Sequence, residues 1–289
     1  MVILPPGRFR QGSPNRERGR AANEGPIREV SIGKVALGQR EVTRGEFRQF
    51  VNATGYRTEA ERGVPSGWSP THKGCMAYLY GPYFDQLPDK DWRDPGFSQD
   101  DDHPVVCVSW NDAQAYVEWL RQETGNAYRL PSESEQEYAI RAGTTSPWPW
   151  GKSGHDGCQM VNYGDASLHA RVPQDWYPTE RCQDGHTFTA PAGTFAANVF
   201  GLHEISGNVR EFSQDCWNDS YAGAPTDGSA WQSGDCYFRV ARGGSWYTPA
   251  PGLRSALRNR VTLPERDMFH GFRLAITLCT MPRVEPMSC

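Results

Sequence analysis

The segment Leu202-His-Glu-Ile-Ser-Gly-Asn-Val-Arg-Glu211 sets two carboxylates, Glu204 and Glu211, on either side of a Ser-Gly-Asn turn. Calcium takes about six to eight hard oxygens from carboxylates and carbonyls, and a turn between two acids supplies both kinds. The segment is therefore a candidate calcium site; a solvated acidic turn would use the same residues without an ion. Gly243-Gly-Ser-Trp246 is a second candidate, because glycine lets a backbone approach a ligand closely. A tight strand connection explains the same residues. The seven histidines (72, 103, 155, 169, 186, 203 and 270) show no metal-ligand spacing, and H-E-x-x-H is absent. The chain also lacks a G-x-S-x-G elbow, a phosphate-binding loop and a dinucleotide fingerprint.

Three helices can be placed to carry these residues. Thr43-Arg-Gly-Glu46 and Ser132-Glu-Ser-Glu135 are capping boxes, in which the hydroxyl accepts an orphan amide and the glutamate reaches back. Val42 and Phe47 sit at staple positions, and Phe47, Phe50 and Val51 form one apolar face. Ser109-Trp-Asn-Asp112 opens another helix, with Ala113, Val117 and Leu120 as its stripe and Gly125 as its stop. The helix after Ser132 is predicted to run to about Gly143. Beyond it the pattern changes to short β-like runs, such as Phe238–Ala241 and Phe272–Thr277, between Gly, Pro, Asn and Asp clusters. With no repeat and no linker composition, residues 1–289 read as a single α+β domain with a long, aromatic-rich, irregular second half.

Composition narrows the partners. Net charge is −4, which disfavours nucleic acid, whose phosphates want a basic face. The basic cluster Arg8, Arg10, Arg16, Arg18 and Arg20 lies among Gly, Pro and Asn and reads as a solvated loop. No apolar run is long enough for a transmembrane helix. The 26 arginines against four lysines favour planar, bidentate hydrogen bonding wherever these groups are ordered.

The eight cysteines are even in number, contain no C-x-x-C, and allow about 105 pairings. Pairing of chain neighbours (75–107, 158–182, 216–236 and 279–289) is one hypothesis. Buried free thiols are the other, with Cys107, inside an apolar run, the best suited. Disulfides would imply an oxidising compartment, periplasmic or secreted, with a leader already removed; free thiols would suit the cytoplasm.

Blocks spread along the whole chain resemble the sulfatase-modifying-factor family, typified by the formylglycine-generating enzyme. They include Glu41-Val-Thr43, Phe50-Val-Asn-Ala-Thr-Gly-Tyr56, His103-Pro-Val-Val-Cys-Val-Ser-Trp-Asn-Asp112 and Arg129-Leu-Pro-Ser-Glu133. Phe200-Gly-Leu202, Gly207-Asn-Val209, Arg242-Gly-Gly-Ser-Trp246 and Gly271-Phe-Arg-Leu274 continue them in the family's order. The resemblance implies a loop-rich, C-type-lectin-like fold with little regular secondary structure. Trp-Asn-Asp, at 110–112 and 217–219, resembles part of the calcium–sugar site of C-type lectins, although at 110–112 helix capping explains it. The family carries two structural calcium ions. By motif, one would rest on Asn162, Tyr163, Asp184 and His186, and the other on Glu204, Gly207, Val209 and Glu211. Tyr163, His186, Gly207 and Val209 would give carbonyls.

The family's enzyme holds copper(I) between two cysteines shortly after Gly-Gly-Ser. Those positions fall here near Thr248 and Leu253, and no cysteine occurs from Trp246 to Leu274. Soft thiolates suit copper(I) and these side chains do not, so copper is not expected. Two functions follow. One is an oxidoreductase acting on something other than sulfatase cysteine, as in a pyoverdine-maturation oxidase or the second domain of ergothioneine-type sulfoxide synthases. Its pocket would surround Ser245, Trp246, Thr248, Arg254, Arg258 and Glu265, with Arg clamping carboxylates and Trp stacking on rings. The other is a non-catalytic binding or structural module, since residues 247–270 also resemble the variable regions of retroelement-diversified binding proteins. Either reading places a small-molecule or protein ligand near Gly243–Ser245.

Overall fold

Local capping chemistry sets the helices. A computed structural model describes residues 1–64, 73–80, 83–158, 160–172 and 182–278. Helix α1 (Arg44–Thr54) starts where Thr43 Oγ1 accepts from Glu46 N and the Glu46 carboxylate accepts from Thr43 N, at 2.8 Å. A short helix α2 (Glu59–Arg62) repeats the device with Thr58 and Glu61. Helix α3 (Trp110–Thr124) uses Ser109 and Asp112 and stops at Gly125. Helix α4 spans Glu133–Arg141, shorter than expected: Ala142, at φ 43°, takes the left-handed position assigned to Gly143. An unanticipated helix α5 (Ala166–Arg171) is capped by the Asp165 carboxylate.

The strands come from distant parts of the chain. One sheet orders β1 (Val2–Leu4), β4 (Val35–Leu37), β12 (Ala275–Thr277) and β7 (Tyr128–Arg129). A second orders β10 (Asn259–Thr262), β9 (Asp235–Arg242), β8 (Arg210–Trp217) and β11 (His270–Gly271). Hairpin-like pairs join β2 (Gly7–Gln11) to β3 (Arg28–Ile32), and β5 (Cys75–Tyr80) to β6 (Tyr83–Leu87). The expected run Phe238–Ala241 lies inside β9, whereas only Ala275–Thr277 of Phe272–Thr277 is strand. Regular structure is sparse throughout, an α+β, loop-rich architecture. Arg8 and Arg10 of the basic cluster lie on β2 rather than in a loop, with exposed side chains.

Aromatic packing fills the core between α1, α3 and the sheets. Phe47, Phe50, Trp92, Tyr116 and Phe272 are buried in one cluster, with Phe47 edge-on to Trp92 at 5.3 Å. Each such ring buries a large apolar area, and tilted contacts add about 0.5–1.5 kcal/mol per pair. Three disulfides fasten the loops: Cys75–Cys107, Cys158–Cys182 and Cys216–Cys236. Cys107 is therefore a crosslink and not a buried free thiol; the pairing proposed for Cys279 and Cys289 lies outside the described residues.

Candidate functional site

The Gly-Gly-Ser turn sits between the second sheet and the loop after α5. Gly244 has φ 74°, and a Cβ there would lie 2.3 Å from Leu253 Cδ2, so the turn excludes any side chain. Ser245 is fully buried and Thr248 nearly so. Thr248 Oγ1 accepts from Ser245 N at 2.9 Å and from Arg210 Nη2 at 3.2 Å, and lies 3.1 Å from Ser245 Oγ. Leu253, at the other expected copper position, is 1% exposed and packs with Val161, Tyr163 and Ala250. The pair is thus a bonded hydroxyl and an aliphatic core residue. Trp246 is also fully buried: its Nε1 donates to Met268 O at 2.9 Å, and Phe188 and Phe269 pack on it at 5.1 Å each. Its rings are satisfied by protein, so it supports the site rather than facing a ligand.

The two candidate arginines clamp carboxylates as the residue type suggests, but the carboxylates are the protein's own. Arg254 donates to Glu24 Oε1 and Oε2 at 2.5 and 2.7 Å and to Glu17 Oε1 at 2.8 Å. Arg258 donates to Glu133 Oε1 and Oε2 at 2.6 and 2.9 Å, and its guanidinium lies 4.3 Å from the Tyr221 ring centroid. Arg242 joins that network, donating to Glu133 Oε1 at 2.9 Å and Glu137 Oε2 at 2.7 Å. These contacts tie residues 17–24 and α4 to the second sheet. Burial opposes the Glu133 charge, yet Arg258 and Arg242 outweigh it and hold the carboxyl below its ordinary range.

Glu265 belongs to a different group. The parallel pairing of β11 with β8 sets His270 opposite Arg210. Asp267 Oδ1 accepts from His270 N and Phe269 N at 2.9 and 2.7 Å, and both of its oxygens lie 2.8 Å from His270 Nδ1. Glu265 Oε2 accepts from Thr262 N at 3.1 Å. Burial pushes the Glu265 carboxyl up against the pull of His270; burial also opposes the Asp267 charge, but His270 and Arg210 hold that carboxyl down. Sequence reading passed over Arg210, Asp267 and His270. Asp-x-x-His outside a helix carries no metal-ligand signature, and only the strand register brings Arg210 to them.

The residues matched to the family's calcium ions were tested for fit. Asn162 is fully buried; its amide donates to Phe188 O at 2.7 Å and Asn208 Oδ1 at 3.1 Å, while Oδ1 has no hydrogen-bond partner. A buried carbonyl oxygen left open in this way suits a cation. Asp184 accepts from Tyr163 N and His186 N, and burial together with the Asp165 charge pushes its carboxyl up to about 7. That first set fits a hard cation. In the second, Glu204 accepts from Gly193 N and Phe195 N at 2.8 Å each, and Glu211 accepts from Arg273 Nε and Nη2. Glu41, unforeseen from sequence, is buried beside them; burial first, then Glu204, raise its carboxyl well above the usual range. Three carboxylates share one guanidinium, so the charge balance suits a cation even though Glu211 is already paired. Gly207 joins the two sets: at φ 80°, a Cβ there would lie 2.4 Å from Asn162 O.

A cavity of about 210 Å³ lies alongside, lined by Trp150, Val161, Val199, Leu202, Glu204 and Ser206 among others. Ser206 Oγ donates to Gly243 O at 3.2 Å, so the cavity wall touches the Gly-Gly-Ser turn.

Comparison with known proteins places this architecture. Residues 1–278 match the sulfatase-modifying factor enzyme 1-like domain. The formylglycine-generating enzyme of Thermomonospora curvata is 34% identical over 234 residues, 75% of this chain and 72% of that protein. The inactive C-alpha-formylglycine-generating enzyme 2 of Bos taurus is 32% identical over 288 residues, covering 91% and 81% of the two chains. The structure of PvdO from Pseudomonas aeruginosa is 33% identical and superposes with a TM-score of 0.76 over 96% of this chain and 94% of that one. With a match running from the first residue to the last described one, the chain belongs to the sulfatase-modifying factor enzyme 1-like family.

Proposed function

We propose that this protein is a formylglycine-generating-enzyme-like oxidoreductase that acts on a small molecule rather than on a sulfatase cysteine. The observation that carries the reading is the pair Thr248 and Leu253, buried and already bonded or packed, where the family's enzyme uses copper thiolates. Arg254 and Arg258, spent on internal glutamates, support it by leaving no arginine clamp for a peptide at that point. The cavity beside the Gly-Gly-Ser turn supports a small ligand, its walls apolar apart from Glu204, Ser206 and a few others. Calcium at the Asn162–Asp184 set and at the Glu204–Glu211 set would hold the loops that frame this cavity. Three disulfides and the absence, among the described residues, of a helix long and apolar enough to cross a membrane support a periplasmic or secreted location.

A second reading, a non-catalytic module on a C-type-lectin-like scaffold, draws support from the likeness to a relative named inactive. Incubating the protein with copper(I), oxygen and a sulfatase cysteine peptide tests the first reading. Mass spectrometry should find no aldehyde; conversion at the rate of a true formylglycine-generating enzyme would sink it. Oxygen uptake with candidate small substrates then separates the oxidoreductase from the binding module.

A further inference from the structure

We propose that Glu265, Asp267 and His270 bind a divalent transition-metal ion. The three residues lie in the turn that leads into β11, and each offers a ligand atom within 4.8 Å of the others'. The cluster carries a further sign that it is unfinished. His270 is 2% exposed, its Nδ1 is tied to Asp267, and its Nε2 is buried with no hydrogen-bond partner. A sealed ring nitrogen without a partner costs about 1–3 kcal/mol, a penalty that coordination removes. The ring itself is locked, lying parallel to Phe212 at 5.5 Å with a 5° tilt. A carboxylate that fixes an imidazole is the usual companion of a metal-bound histidine.

The donor set selects the ion. Two carboxylates and one imidazole nitrogen suit zinc, manganese or iron, whereas calcium prefers oxygen alone. The charge is compatible, since Arg210 neutralises only one of the two carboxylates it faces. Glu265 is half-buried, which gives an ion a way in, and the remaining coordination positions would be open. The other tight group, Cys158, Asp165 and Cys182, lacks this character because its two sulfurs form a disulfide. The Glu265 site lies beside Thr248 through Arg210, but the proposal needs no turnover and stands apart from the oxidoreductase reading.

The test uses the whole oxidised protein, stripped of metal and then saturated with calcium so that harder sites are filled. Titration with cobalt(II), followed by its visible absorption, should show one equivalent bound and displaced by zinc(II). Glu265→Gln and His270→Gln should each weaken cobalt binding by about 10–100-fold or more, the loss seen for far less direct partners, with circular dichroism confirming the fold. If His270→Gln fails to fold, the half-buried Glu265→Gln decides alone. No uptake of cobalt or zinc by the wild-type protein, or unchanged affinity in a folded Glu265→Gln variant, overturns the proposal.

Discussion

Replacing Glu133 by Gln tests whether buried arginines hold this molecule together. The carboxylate accepts from Arg242, from Arg258 twice and from the Tyr221 hydroxyl, all at 2.6–2.9 Å, and it is 3% exposed. Glutamine keeps the shape and an acceptor but removes the charge. Arg242 would retain Glu137, whereas Arg258 would have only the carbonyls of Asn23 and Asn218. Removing one partner of a buried pair costs about 3–5 kcal/mol. The neighbouring Asp215, raised partly by Glu133, would relax and offset a little of that loss. At about 2.1 cal/mol/K per residue, a chain of this length unfolds with roughly 0.6 kcal/mol/K, so Tm should fall by about 5–8 °C. Calorimetry on the oxidised protein measures this. Glu29→Gln, which breaks the exposed Arg8–Glu29 contact at 3.4 Å, is the control and should leave Tm unchanged. Acid adds a second arm. The folded Glu133 pKa is lowered, so its contribution is complete above the unfolded value of about 4.3 and disappears as pH falls through the folded one. The gap between wild type and variant should therefore close in acid. A drop of less than about 1 °C at neutral pH would refute the view that this network is structural.

Calcium removal should lower Tm by about 4–5 °C per site where the ion had been present at roughly 100 times its Kd, and Asp184→Asn should abolish one such step; identical melting with and without chelator would reject the calcium reading. Asp215 is raised to about 7 by burial and by Glu133, above an unfolded value of about 3.9, so folding takes up a proton and stability should fall as pH rises between them. Asp215→Asn should remove up to about 1.4 kcal/mol per pH unit of that slope, read from urea unfolding. Opening the Cys75–Cys107 bridge, which spans a sequence separation of 32, should cost about 3–4 kcal/mol; a double alanine variant with unchanged urea midpoint would contradict this.

The first three helices were legible because a capping box is complete within four residues: Thr43 to Glu46, Ser109 to Asp112 and Ser132 to Glu135. The end of α4 was misplaced by one residue, since Ala142 adopts the turn that glycine would have taken more easily. Neighbouring cysteines along the chain paired as hypothesised at three places, where intervening loops fold back on themselves. The strands escaped notice where they were short. Val2–Leu4, Val35–Leu37 and Ala275–Thr277 share one sheet, but three residues carry too little periodicity to announce a strand.

Residue type alone told that arginines here would grip carboxylates and that Ser245 and Trp246 would lie at a tight turn. Whether Arg258 faced a ligand or Glu133, 125 positions away, depended on how α4 packs under β9, and no local spacing encodes that. The same holds for Arg210 and His270, strangers in the chain made neighbours by a parallel strand pair. Short-range hydrogen bonding is written in contiguous residues; the cancelling of buried charge is a property of the packed interior, where low dielectric makes every unmatched carboxylate and guanidinium seek a partner from wherever the chain returns.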